Sequence, residues 1–224
     1  MTDAAVRQMA LDLRHEESFA REDFLVGPAN AAAFAMIERW PDWPAPALAL
    51  VGPEGSGKTH LAAIWGERAG ARFLSARALG ETNLGAALAT GALVLEDVAS
   101  SNFDQRALFH LLNLAREHEA FVLMTASSAP AAWPIGLLDL SSRLRAIPTV
   151  PLEPPDDALL RAVLVKLFAD RQLEVEENLV AFLLSRIGRS LGDAREAVAR
   201  LDAEALQRGR AVTRALAAEV FRGS

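Results

Sequence analysis

A single loop limits what this 224-residue chain can become. Gly52-Pro53-Glu54-Gly55-Ser56-Gly57-Lys58-Thr59 follows the apolar run Leu48-Ala49-Leu50-Val51. It precedes a helical repeat, Lys58 to Glu67, in which Leu61, Ile64 and Trp65 share a face. The loop fits GxxxxGK[ST], and a buried strand before it with an amphipathic helix behind it is the setting that motif requires. Gly55 and Gly57 allow the backbone to turn its N–H groups inward around a β-phosphate, and the helix that begins near Lys58 adds its positive dipole end. Lys58 would reach the β- and γ-phosphates, and Thr59 would offer a hydroxyl to Mg²⁺. The expectation is a site for ATP or ADP with Mg²⁺, with Gly52, Ser56 and His60 counted among its residues.

The rest of the chain supplies a frame for that loop. Leu93-Val94-Leu95 and Phe121-Val122-Leu123-Met124 are further short apolar runs, and Arg72-Phe73-Leu74 is a weaker one. Continuous rather than alternating apolarity suits strands buried on both faces of a parallel sheet. Between them, Asp104 to Glu119 repeats Leu108, Leu111, Leu112 and Ala115 at helical spacing. Alternating strands and helices predict an α/β fold with crossover helices on both sides. Pro148, Pro151, Pro154 and Pro155 read as a stiff connection, with no strand beyond it. Amphipathic helices are expected over 156–171, 176–187 and 191–207, with a short one over 213–221. In the third, Ser190 and Asp193 resemble a capping pair. The organisation expected is a flexible tail (1–20), a nucleotide-binding core (21–152) and a small all-α lid (153–224).

A second polar site is expected where the third strand ends in Glu96-Asp97. At the carboxyl edge of a parallel sheet, Glu96 would lie near the Mg²⁺ water shell and Asp97 near an attacking water. Elsewhere the sequence excludes more than it adds. Without cysteine there is no disulfide or thiolate metal site, and His15, His60, His110 and His118 lack metal-binding spacing, reading mainly as surface or packing residues. No apolar run reaches the roughly 20 residues that span a bilayer, and the charged N-terminus does not read as a signal peptide, so a cytoplasmic protein with no membrane partner is expected. The formal net charge of −6 argues against a chain that holds DNA through its own basic face.

With these motifs in place, the chain resembles the DnaA/Hda family of AAA+ ATPases over nearly its whole length. Phe24-Leu25-Val26-Gly27-Pro28-Ala29-Asn30 is similar to the family's FVxGxxN stretch near the adenine, which implies a place for Val26 at the nucleotide. Asp139-Leu140-Ser141-Ser142-Arg143-Leu144 resembles box VII, whose arginine acts as a finger on a neighbouring subunit's γ-phosphate. Leu152-Glu153-Pro154-Pro155 is similar to the EPP that opens the family's lid. Gly192-Asp193-Ala194-Arg195-Glu196 lies where the family carries its sensor 2 arginine, which implies Arg195 over the nucleotide. The resemblance thus implies an AAA+ P-loop core with a helical lid, and catalytic roles for Arg143 and Asp97.

Gln8-Met9-Ala10-Leu11-Asp12-Leu13 is similar to the QxxLxL peptide by which members of the family and other proteins dock on the replicative sliding clamp. Gln8 would bond at a polar subsite while Leu11 and Leu13 fill an apolar pocket. No helix-turn-helix segment follows the lid, so sequence-specific DNA reading is not expected. What the resemblance implies is a regulator that is bound to the clamp, the beta subunit of DNA polymerase III, and triggers hydrolysis of ATP on DnaA. Arg143 would act in trans on DnaA or on a like subunit, the chain's own ATPase being weak. A helicase loader or motor and a passive nucleotide-bound adaptor are the alternatives. Two departures from the family pattern concern the chemistry. Glu96-Asp97 stands where DnaA has two aspartates, and Thr125-Ala126-Ser127-Ser128 differs from the Ser-Asp-Arg around sensor 1, leaving Thr125 and Ser127 as candidates there.

Overall fold

The computed structural model describes residues 19–98 and 103–222. Gln8, Leu11 and Leu13 lie outside the described residues. Strands β1 (Ala47–Val51), β2 (Arg72–Ser75), β3 (Ala92–Glu96), β4 (Phe121–Ala126) and β5 (Thr149–Pro151) form one sheet in the order β2-β3-β4-β1-β5. Every neighbouring pair is parallel. Side chains alternate along each strand, so the sheet feeds two cores. Leu48, Leu50, Val94 and Leu123 pack on the side of α1 (Ala31–Glu38) and α2 (Lys58–Ala69). Ala49, Leu93, Leu95, Val122 and Met124 pack on the opposite side, with α3 (Leu84–Ala87), α4 (Gln105–Glu117) and α5 (Leu138–Arg145). Full burial of Leu48 and Leu50 contributes about 1.5–3 kcal/mol each, which anchors β1 and the loop at its end.

The proline-rich stretch expected as a plain connection contains β5. The Ala49 N–H donates to the Pro148 carbonyl at 3.0 Å and the Leu152 N–H to the Val51 carbonyl at 2.7 Å. Pro151 lacks an N–H, which an edge strand tolerates and a central one does not. With Val150 as its one buried residue, the strand has no apolar run by which to announce itself. Helices α1 and α5, eight residues each, also escaped the sequence reading, each burying a single pair four residues apart, Ala33 with Ile37 and Leu140 with Leu144.

Beyond β5 the described residues form only helices: α6 (Asp157–Asp170), α7 (Glu177–Leu184), α8 (Leu191–Arg208) and α9 (Arg214–Val220). They share a separate core that includes Leu164, Phe168, Leu183, Val198 and Leu216. Asp156 caps α6 through the Leu159 N–H at 2.7 Å. Ser190 caps α8 through the N–H groups of Gly192 and Asp193 at 3.0 and 3.3 Å. Among the described residues, no helix is long and apolar enough to cross a membrane.

Candidate functional site

The loop after β1 is built for close backbone approach. Its Gly52 N–H donates to the Ala126 carbonyl at 3.1 Å, which ties the loop to β4. A side chain at Gly52 would overlap the Leu152 carbonyl. Gly55 (φ 70) and Gly57 (φ 101) adopt left-handed backbone, and the Ser56 N–H between them donates to the Pro53 carbonyl at 3.3 Å, which closes the turn. Ser56 is buried between them, and its Oγ has no hydrogen-bond partner among the described residues. Helix α2 starts immediately behind, at Lys58. The Lys58 ammonium donates to the carbonyls of Gly52 (2.8 Å) and Pro53 (2.7 Å), so it lies across the loop. Burial lowers the Lys58 pKa from its ordinary value, against the opposing pull of the Asp97 and Glu54 carboxylates. The start of a helix, an orphaned buried hydroxyl and a partly desolvated cation fit a phosphate chain.

Because β1, β3 and β4 are parallel, their carboxyl ends share one edge. There Asp97 takes left-handed backbone (φ 58), uncommon outside glycine. Its N–H donates to Thr125 Oγ1 at 3.2 Å, and the Val98 N–H donates to the Thr125 carbonyl at 3.1 Å. Thr125, almost fully buried at the end of β4, therefore holds the turn that presents the acid, whereas Ser127 is exposed. Glu96 is half-buried, and burial first, then the like charge of Asp97, raises its pKa. Of the two acids, Asp97 is the one whose charge acts on Lys58. Among the described residues no three His, Asp or Glu side chains cluster to hold a metal. Mg²⁺ would thus rest on Thr59, a carboxylate and phosphate oxygens, a donor set that suits it.

The helical part reaches directly onto the loop. The Leu191 N–H, at the start of α8, donates to the Gly55 carbonyl at 2.9 Å. Arg195, one turn further, is half-buried with its guanidinium 5.8 Å from the centre of the Phe19 ring. His60 packs edge-on against Phe19 and Phe24, and its Nε2 lies 3.0 Å from the Ala20 carbonyl. Burial, the larger cause, lowers the His60 pKa, which suits a neutral ring clipping residues 19–24 to α2. Lys166 of α6 adds a bond to Asp23 at 2.7 Å. In the Val26 stretch, Asn30 Oδ1 accepts the Gly27 N–H at 2.8 Å and its Nδ2 donates to the Leu25 carbonyl at 3.0 Å. That closes a turn which leaves Val26 exposed.

Ser190 and Leu191 escaped the sequence reading as site residues, although the Ser190 cap was the available signal. A side chain at Gly55 would overlap the Ser190 hydroxyl. We expect Gly55→Ala to cost roughly 1–3 kcal/mol in backbone strain, with a further loss as α8 is pushed off the loop. Thermal melting and ADP titration of Gly55→Ala, alone and with Ser190→Gly, check this. The second change should recover part of the loss, because glycine removes the overlap and still serves as a cap. No recovery would mean that α8 does not bear on the loop.

Arg143 lies on α5, near its carboxyl end, half-buried with its guanidinium over the Phe109 ring at 4.7 Å from the centroid. Among the described residues no hydrogen bond or ion pair engages it. Arg145 differs, donating from Nε to the Ser141 carbonyl at 3.3 Å and from Nη2 to Ser141 Oγ at 3.1 Å.

The glycine-rich loop after β1, the acid turn after β3 and the helices docked on them belong to an α/β core with a helical C-terminal part. No protein-family model matches the chain. Domain III of the replication initiation protein DnaA from Thermotoga maritima superposes with a TM-score of 0.75 over 91% of this chain and 95% of that one, at 20% identity. AMPPCP-bound DnaA from Aquifex aeolicus gives 0.68 at 18% identity, over 84% of this chain and 66% of that one. The Thermotoga maritima RuvB Holliday junction branch migration motor gives 0.65 at 16% identity, over 87% and 66%. The fold is thus DnaA-like AAA+.

Proposed function

We propose that this chain is a nucleotide-binding regulator of DNA replication initiation, of the Hda type. Docked on the sliding clamp through its first 20 residues, it meets ATP-loaded DnaA and stimulates hydrolysis of that ATP. The observation that carries the reading is Arg143. On an AAA+ fold, this half-buried guanidinium sits over a ring, with no hydrogen bond or ion pair among the described residues. An arginine kept in that condition supports action on another subunit's phosphates, and Arg145, committed to Ser141, is less suited.

The chain's own nucleotide would be held by the N–H groups of Gly55 and Gly57, the Ser56 hydroxyl and Lys58, with Gly52 keeping the strand end clear. ATP or ADP is the expected occupant. Mg²⁺, when bound, neutralises phosphate charge, and Thr59 and Glu96 are the residues that would hold it. Asp97, fixed through Thr125, would orient a water. Arg195 and the start of α8 would sense occupancy, because Leu191 already bonds Gly55. In this reading residues 21–152 are the core and 153–224 the lid, and the protein works in the cytoplasm.

Clamp docking through Gln8, Leu11 and Leu13 is weak by its own arithmetic. Burying the two leucines contributes about 1.5–3 kcal/mol each and the Gln8 contact roughly 1. Ordering the tail and losing translational freedom offset much of that, which leaves micromolar affinity at best. Simultaneous contact with DnaA on clamp-loaded DNA raises the effective concentration enough to make it sufficient. The test is hydrolysis of ATP on DnaA with this protein, clamp and DNA omitted in turn. Gln8→Ala with Leu11→Ala should abolish clamp pull-down and clamp-dependent hydrolysis while ADP affinity stays unchanged. Full stimulation without the clamp, or by the double variant, would sink the tethering reading.

A further inference from the structure

Helix α4 carries Gln105 and Phe109 one turn apart, and both reach toward α5. Gln105 Oε1 accepts the N–H groups of Gly136 (3.0 Å) and Leu137 (3.4 Å), while its Nε2 donates to the Pro134 carbonyl at 3.3 Å. That side chain brackets the loop leading into α5, whose own N-cap, Leu137, offers no capping side chain. The start of α5 is therefore fixed from α4. The platform is itself anchored, because Asp104 caps α4 through the N–H groups of Arg106 and Ala107 at 2.8 and 3.0 Å. Phe109, half-buried against the core, then receives the Arg143 guanidinium.

From this arrangement we infer that Phe109 is a positioning residue for Arg143. It holds the guanidinium ready for the phosphates of an ATP-loaded partner, while Gln105 fixes the helix that carries it. The inference rests on the reading of Arg143 as trans-acting. Its physical content lies in the kind of contact. A cation over an aromatic ring is attracted by the ring quadrupole and consumes no hydrogen-bond donors. All five guanidinium N–H groups stay available for a bidentate phosphate contact. A carboxylate in place of Phe109 would hold the arginine more firmly and would compete with the phosphate for those donors. A purely aliphatic neighbour would leave a long side chain to lose its rotamer freedom on engagement. The ring restrains the arginine without occupying it.

The test compares Phe109→Leu, which keeps the apolar packing and removes the ring, with Phe109→Tyr, which keeps the ring. The readout is the maximal rate of ATP hydrolysis on DnaA at saturating regulator, clamp and DNA, read beside Arg143→Ala. Phe109→Leu should lower that rate about three- to tenfold, Phe109→Tyr should retain it, and Arg143→Ala should nearly abolish it. Proton resonances of the Arg143 side chain in the free protein should show an upfield ring-current shift that Phe109→Leu removes. Equal rates in Phe109→Leu and the unaltered protein, with Arg143→Ala inactive, would overturn the positioning role and leave the functional reading standing. Full stimulation by Arg143→Ala would remove the functional reading and this inference with it. An absent ring-current shift would overturn the inference alone. Unchanged melting and ADP affinity in Phe109→Leu exclude misfolding as the cause of a slower rate.

Discussion

Lys58→Ala is expected to remove measurable binding of both ADP and ATP while leaving the free protein about as stable as before. The ammonium lies over the loop on the Gly52 and Pro53 carbonyls, in a setting that burial has already partly dried. A unit charge pair about 4 Å apart is worth roughly 4 kcal/mol at the effective dielectric of such a site, about a thousandfold in affinity. The two carbonyls that lose their donor weaken binding further, because the Lys58 bonds help to hold the shape of the loop. Stability should change far less, since the Pro53 side is exposed and water can replace the ammonium there. Two measurements separate these effects. Calorimetric titration should show no ADP binding, and the rise in melting temperature that ligand binding confers should vanish while the ligand-free melt stays put. Near wild-type affinity would move the nucleotide site away from this loop.

How far the sequence carried the reading depends on how local each feature is. Strands β1, β3 and β4 were legible because burial on both faces writes a continuous apolar run, as in Leu93-Val94-Leu95. The P-loop was legible because its whole geometry lies in adjacent residues. Strand β5 was not, since Val150 stands alone among prolines and pairs only through the backbone. The left-handed turn at Asp97 left no mark either, because aspartate tolerates that region without requiring it. Contacts that the sheet order and the docked helices create were beyond reach. His60 meets Ala20 across 40 residues, Leu191 meets Gly55 from the far end of the chain, and Phe109 meets Arg143 only once α4 and α5 lie side by side. Thr125 is intermediate. A polar residue ending an otherwise apolar strand was visible, but its bond to the Asp97 N–H was not.

On the proposed function, Arg143→Ala is expected to fold normally, to bind nucleotide as the unaltered protein does, and to lose nearly all stimulation of DnaA. The separation follows from what Arg143 touches. Its one side-chain interaction among those described is the contact with Phe109, and a half-buried cation–π pair is worth about 0.5–2 kcal/mol. Loss of stability should stay near that figure. An arginine supplied in trans to a transferring phosphoryl group is worth roughly 10³–10⁵ in rate, or about 4–7 kcal/mol of transition-state stabilisation. The effect on rate therefore exceeds the effect on folding several times over, which no generally destabilising change would reproduce. Arg143→Lys sharpens the contrast. It restores the charge without the planar fork, so it should recover only a small part of the rate. Rates must be taken with DnaA, clamp and DNA saturating, so that a weaker encounter is not mistaken for a slower reaction. If stimulation survives in Arg143→Ala, the next candidate is Arg145, which would first have to leave Ser141. In that case Ser141→Ala, which removes the bond to Oγ and keeps the one to the backbone carbonyl, should loosen Arg145 and raise the rate; with Arg143 as the finger it should leave the rate unchanged.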